Sequence, residues 1–145
     1  MKSYTAILRD KRRTPPGLSS VAEWLAAGQG FYYFATGLWS LVSVSSFMAV
    51  TGPKTDRWLV QVVGALVLVI GVVFLVAALR SVLSLELGLL MVGSSLALGL
   101  IDVVYVLKGV LPPIYTVDAI EEFAVLLLCL AFLHQFTHRR HSTFV

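Results

Sequence analysis

Long runs of apolar residues dominate the chain and predict membrane-spanning helices. A helix needs about 20 mainly apolar residues, at about 1.5 Å each, to cross a hydrocarbon core of about 30 Å. The sequence contains four such windows, over about 28–50, 58–79, 82–107 and 114–136. No alternation of apolar and polar residues competes with this pattern, and the windows exceed the length of barrel strands, about 9–11 residues. We therefore predict an all-α membrane protein, built as an up-down four-transmembrane-helix bundle.

Short polar connections separate the windows and indicate how the bundle is oriented. Residues 51–57 form a charged turn, 80–81 a very short link, and 108–113 a segment with helix breakers. Eight bases fall on the side of the two termini: Lys2, Arg9, Lys11, Arg12, Arg13, Arg80, Arg139 and Arg140. Three fall on the opposite side: Lys54, Arg57 and Lys108. Because cytoplasmic loops carry the excess of Lys and Arg, both termini are predicted to be cytoplasmic.

Composition agrees with a membrane protein and excludes other classes. Of 145 residues, 58% are hydrophobic and 13% charged, with a mean hydropathy of +0.88, whereas soluble domains are about 45–50% apolar and about 25% charged. A single cysteine, Cys129, excludes a disulfide scaffold. The net charge of +3 does not indicate nucleic-acid binding, because no aromatic-basic motif accompanies it. We expect a multi-pass protein surrounded by lipid in a bacterial inner membrane, with basic tail 1–19, transmembrane domain 20–138 and cytoplasmic tail 139–145.

Three carboxylates are the candidate catalytic residues. Asp102 lies near the outer end of the third window, and Asp118 and Glu122 lie near the outer start of the fourth. A carboxylate within a span costs a few kcal/mol or more, so its position is informative. Repulsion and desolvation favour the protonated form of one carboxyl, which could serve as a general acid beside a second carboxylate acting as base or cation stabiliser.

Further residues at the same depth are candidates for ligand binding or support. They are Lys54, Asp56, Arg57, Tyr105, Tyr115 and Glu121. The spacing of Asp118 from Glu121 and Glu122 places these acids on one side of a helix. Two other interpretations stay open: the acids of the fourth window suit the positive end of a helix dipole, and Asp102 could pair with Lys54 or Arg57 and pin the bundle.

Three segments of the sequence carry a resemblance to known proteins. Segment 47–60 contains Gly-Pro-Lys-Thr-Asp-Arg-Trp-Leu-Val, and it is followed later by Asp-Val-Val-Tyr at 102–105 and Tyr-Thr-Val-Asp at 115–118. From about Gly28 onward the chain resembles small uncharacterised four-span bacterial membrane proteins, which implies a four-span fold and no particular activity. In layout, though not in motif, it is also similar to emopamil-binding-type isomerases, which use membrane-embedded acids to handle sterol-like cations, and to DoxX-like proteins. Neither similarity assigns site residues.

These observations lead to three functional hypotheses. The first is a protein that binds a small lipophilic molecule in an acidic pocket at the outer end of the bundle, with acid–base alteration by an isomerase, cyclase or hydrolase reaction left open. The second is an accessory or structural subunit of a larger membrane complex, and the third is a proton-coupled carrier. We predict no cofactor and no metal site, since His134, His138 and His141 are typical of an interfacial basic end. A homodimer and a larger complex both stay open.

Overall fold

The computed structural model describes the backbone of residues 18–141 and the side chains of residues 21–130. The described chain is all-helical, with no strand within it. Its five helices are α1 (Leu18–Val42), α2 (Val44–Thr51), α3 (Arg57–Leu79), α4 (Leu85–Leu107) and α5 (Tyr115–His141). The prediction of an all-α fold is confirmed. Most of the two predicted tails lies outside the described residues, and so do the side chains of His134, His138 and His141.

Within the described residues, two helices are long and apolar enough to cross a membrane, namely α3 and α4. Helices α1 and α2 pass the same test only as a pair, so two or three spans are established by length and composition. Most of the large apolar side chains of α3 face outward, with Leu66 and Val69 each 61% exposed, as expected of a surface covered by lipid tails. The α5 backbone covers the predicted fourth window, but its side chains are described only as far as Leu130. The four-span bundle therefore stays a prediction.

The first predicted window, 28–50, is not one straight helix. Helix α1 begins at Leu18, and between α1 and α2 the chain bends by 115°. At the bend, Ser43 leaves the helical conformation with a φ of −145°. The indole nitrogen of Trp39 donates to the Ser46 hydroxyl at 2.8 Å, and the Trp39 ring meets Phe47 edge-on at 5.4 Å. These contacts hold α2 at a large angle to α1, and α1 ends at Val42, eight residues before the end of the predicted window.

Four glycines allow α1 and α3 to pack against each other at backbone distance. Gly30 lies against Gly71, and Gly37 lies against Gly64. A Cβ atom added to Gly37 would stand 2.6 Å from the Gly64 carbonyl oxygen, closer than real contacts allow. The order of these pairs along each helix shows that the two helices are antiparallel. Small residues permit such close approach between helices in a membrane, where packing rather than water drives association.

The bundle consists of two helix pairs joined through α1. The most extensive contacts are between α1 and α3 and between α4 and α5, and α1 also touches α5. The α4–α5 pair is close at Gly99, where an added Cβ would lie 3.3 Å from the Glu122 Cβ. Although only a short link joins α3 to α4, α3 makes its main contact with α1. The larger contact follows the glycines rather than the loop length.

The α2–α3 and α4–α5 loops meet at one end of the bundle. Gly52 packs against the Pro112 ring, and the Lys54 Nζ lies 4.9 Å from the centre of the Tyr115 ring. Gly52 has a φ of +89°, which only glycine adopts without strain. Both loops therefore lie on the same side, as the alternation of the windows predicts. We refer to this side as the outer end.

Candidate functional site

Four carboxyl groups converge where α4 meets α5. Asp102 lies five residues before the end of α4, and its carboxyl faces Asp118 and Glu122 of α5 closely enough to interact with both. Glu121 lies beside Asp118 and Glu122 on α5. The sequence predicted that Asp102, Asp118 and Glu122 would share one depth, and the structure brings them together. We call these four residues the carboxyl cluster.

Two tyrosines of α1 complete the cluster from the opposite side. The Tyr32 hydroxyl donates to the Asp118 carboxylate, and the Tyr33 hydroxyl donates to Glu122 Oε2 at 3.0 Å. Sequence reasoning assigned the surrounding tyrosines to Tyr105 and Tyr115 and did not select this pair. The available signal was a Tyr-Tyr step within an uncharged window, where two hydroxyls need partners. The acceptors of these two hydroxyls could not be named, because nothing in the sequence indicates that α1 contacts α5.

A buried amide continues the polar groups toward the middle of the bundle. Gln29 lies one helical turn before Tyr33 and is 1% exposed. Its Nε2 donates to Ser95 Oγ at 2.9 Å and to the Met91 carbonyl oxygen at 3.2 Å, both on α4. The same Nε2 lies 3.3 Å from the Tyr33 hydroxyl. The side chains of Gln29 and Tyr33 therefore connect α1 with both α4 and α5.

Several oxygens of this polar group have no hydrogen-bond partner among the described residues. They are Gln29 Oε1, Asp102 Oδ2, Glu121 Oε2 and Glu122 Oε1. Glu122 is fully buried and Asp102 is 6% exposed. An unsatisfied buried polar atom costs about 1–3 kcal/mol, and more when it is charged, so folded proteins rarely keep such atoms without a function or a bound partner. The carboxyl cluster thus contains buried oxygens whose capacity to accept hydrogen bonds is not used by the described residues.

The remaining predicted support residues are not part of this cluster. Lys54 donates its ammonium to the Thr51 carbonyl oxygen at 2.9 Å, besides lying over Tyr115. Its ammonium is thereby engaged within the two outer loops. Asp56 and Arg57 are exposed at the start of α3. Tyr105 is 43% exposed and lies under the Lys108 ammonium.

The inner half of the core is apolar. Beyond Gln29, toward the inner end, the buried cluster consists of Ala26, Phe74, Met91 and Cys129. Polar groups therefore extend from the outer end only to about the middle of the described bundle. The described core therefore provides no continuous polar path from one end of the bundle to the other.

No protein-family model matches the sequence. No curated protein and no solved structure matches it significantly either. The resemblance to small four-span bacterial membrane proteins stays a prediction. Among the residues whose side chains are described, no set of three His, Cys, Asp or Glu residues has an arrangement that could hold a metal ion.

Replacing Tyr33 with phenylalanine tests how the cluster is held. The change removes the hydroxyl that donates to Glu122, and it leaves one more carboxylate oxygen without a partner. We expect the free energy of unfolding in mixed detergent micelles to fall by about 1–2 kcal/mol. Tyr105→Phe is the matched control, because the Tyr105 ring is partly exposed and lies outside the cluster. Equal effects of the two substitutions would contradict the assigned hydrogen bond.

Proposed function

We propose that this chain is a four-span protein of a bacterial inner membrane with both termini in the cytoplasm. Two observations support the proposal. Helices α3 and α4 are long and apolar enough to cross a membrane, and eight of the eleven Lys and Arg residues fall on the side of the termini. The excess of basic residues marks the cytoplasmic side of bacterial membrane proteins. The carboxyl cluster then lies toward the periplasmic side.

The proposed function is binding of a small lipophilic molecule through a polar group that reaches the carboxyl cluster. The observation that carries it is the pair of unpartnered buried oxygens, Asp102 Oδ2 and Glu122 Oε1. A molecule that enters from lipid brings its own apolar part, and its polar part satisfies these oxygens. The binding energy then comes from removing a desolvation cost that the unoccupied site carries.

Helix capping does not account for the cluster as a whole. Asp118 lies in the first turn of α5, where a carboxylate favours the helix dipole. Glu122 lies seven residues into α5, about 10 Å along the axis, and the dipole effect falls off within the first turn. Asp102 lies near the C-terminal end of α4, where the dipole disfavours an anion. Two of the three candidate catalytic residues therefore need another explanation.

The same arrangement suits acid–base chemistry on the bound molecule. Asp102 and Glu122 come from different helices, so a molecule between them meets one carboxyl on each side. One can deliver a proton while the other removes one, as an isomerase, cyclase or hydrolase reaction requires. Asp118 is a positioning residue, since it lies against Asp102 and accepts from Tyr32.

Native mass spectrometry of the purified protein tests the binding function. We expect the wild-type protein to carry a lipophilic molecule of discrete mass, and we expect Asp102→Asn and Glu122→Gln to lower its occupancy at least tenfold. Asp56→Asn is the control, since it also removes a carboxylate from the outer end but in the exposed loop. Unchanged occupancy in both cluster variants, with melting temperatures close to that of the wild type, would overturn the proposal.

The carrier and accessory-subunit hypotheses gain less support. A proton-coupled carrier needs polar groups along a path across the membrane, and the inner half of the described core is apolar. An accessory subunit needs a docking face, and the outward apolar side chains of α3 are explained by lipid.

A further inference from the structure

The carboxyl cluster concentrates acidic groups without a basic partner from the described part of the chain. Four carboxyls meet there, and their hydrogen-bond partners among the described side chains are the neutral hydroxyls of Tyr32 and Tyr33. Lys54 is a basic residue of the α2–α3 turn, but its ammonium donates to a backbone carbonyl oxygen and lies over the Tyr115 ring. Either protonation or a bound cation neutralises such a buried group of acids.

The unpartnered atoms are all oxygens, and this restricts the polar group that could satisfy them. Asp102 Oδ2, Glu122 Oε1 and Gln29 Oε1 each lie in a side chain that is at least nine-tenths buried. A carboxylate oxygen and an amide oxygen accept hydrogen bonds and do not donate them. The complementary group carries several N–H or O–H donors.

We propose that the molecule bound at the carboxyl cluster is a lipophilic amine, held as a primary or secondary ammonium. This inference rests on the proposed binding function and specifies its ligand class. An ammonium supplies the missing positive charge, and its N–H groups donate to Asp102 Oδ2 and Glu122 Oε1. A charge-assisted hydrogen bond is about twice as strong as a neutral one. A neutral alcohol supplies a donor without the charge, and a quaternary ammonium supplies the charge without a donor.

Three probes with the same alkyl chain separate these properties: dodecylammonium, dodecyltrimethylammonium and 1-dodecanol. Each is titrated into the full chain in detergent micelles, and bound probe is counted by native mass spectrometry. We expect dodecylammonium to bind at least tenfold more tightly than either of the others. Glu122→Gln and, independently, Asp102→Asn should remove most of that preference, whereas Asp56→Asn should retain it. The melting temperature of each variant confirms that it is folded.

Other outcomes would overturn the inference in distinguishable ways. If 1-dodecanol binds as tightly as dodecylammonium and still depends on Glu122 and Asp102, the ammonium assignment fails and the binding function survives. If dodecyltrimethylammonium matches dodecylammonium, N–H donors are not recognised and the assignment again fails. If no probe depends on the cluster residues, and the co-purified molecule does not depend on them either, both the ligand class and the proposed function fail.

Discussion

Replacing Gly37 with alanine is expected to disrupt the packing of α1 on α3 and to cause a large loss of stability. The new methyl group would stand 2.6 Å from the Gly64 carbonyl oxygen and the same distance from the Leu68 amide nitrogen. Both obstacles are backbone atoms of α3, so the helices must separate. Overpacking typically costs about 1–3 kcal/mol, and we expect a value at the upper end. Unfolding in mixed micelles with increasing denaturing detergent measures it.

Gly28→Ala is the matched control for this prediction. Gly28 lies on the same helix, and an added Cβ there meets no atom within 4 Å. Since alanine favours the helix by about 0.5–1 kcal/mol, the control should be neutral or slightly stabilising. Gly71→Ala should behave like Gly37→Ala, because its Cβ would stand 2.5 Å from the Phe34 amide nitrogen. Equal stabilities of the Gly37→Ala and Gly28→Ala variants would contradict the close packing of α1 against α3 at Gly37.

Replacing Gly52 with alanine is expected to have the second large effect. Gly52 has a φ of +89° and a ψ of 156°, a region that residues with a Cβ essentially avoid, at a cost of about 1–3 kcal/mol. A Cβ there would also collide with the Pro112 ring. We expect a loss of about 2–4 kcal/mol, together with separation of the two outer loops. The melting temperature of the purified variant tests the first effect.

Gly109→Ala distinguishes backbone strain from the collision. Gly109 also has a positive φ, +67°, but an added Cβ there meets nothing within 4 Å. This variant should lose only the conformational cost, about 1–2 kcal/mol. A Gly52→Ala effect no greater than that of Gly109→Ala would show that the contact between Gly52 and Pro112 does not contribute to stability.

The helices could be predicted from the sequence wherever apolar runs end in strong signals. Helix α3 begins at Arg57 and α4 ends at Leu107, each next to charged or helix-breaking residues. The bend at Ser43 was missed because serines within an uncharged window do not prevent insertion into a membrane. Their effect depends on a local contact, in which Trp39 donates to Ser46. Hydropathy averaged over 20 residues does not detect such a contact.

The sequence was sufficient to predict at which end of the bundle the candidate site lies, but not all of the residues that form it. Asp102 and Glu122 could be placed at the same end, because the direction of each helix follows from alternating loops. Tyr33 and Gln29 could not, since their roles depend on α1 contacting both α4 and α5. That contact is set by packing between helices distant in sequence. The lysine of the α2–α3 loop illustrates the same difficulty, because Lys54 could reach several outer groups and in the structure binds backbone carbonyls.

The link that α1 makes between the two helix pairs has a consequence for the order of synthesis. Tyr32 and Tyr33 find their acceptors on α5, which leaves the ribosome roughly eighty residues after them. Until then, α1 can dock on α3 through its glycines while its polar face has no final partner. Assembly therefore finishes only when α5 packs against α1, and a nascent chain that stops before Tyr115 leaves both hydroxyls without their acceptors.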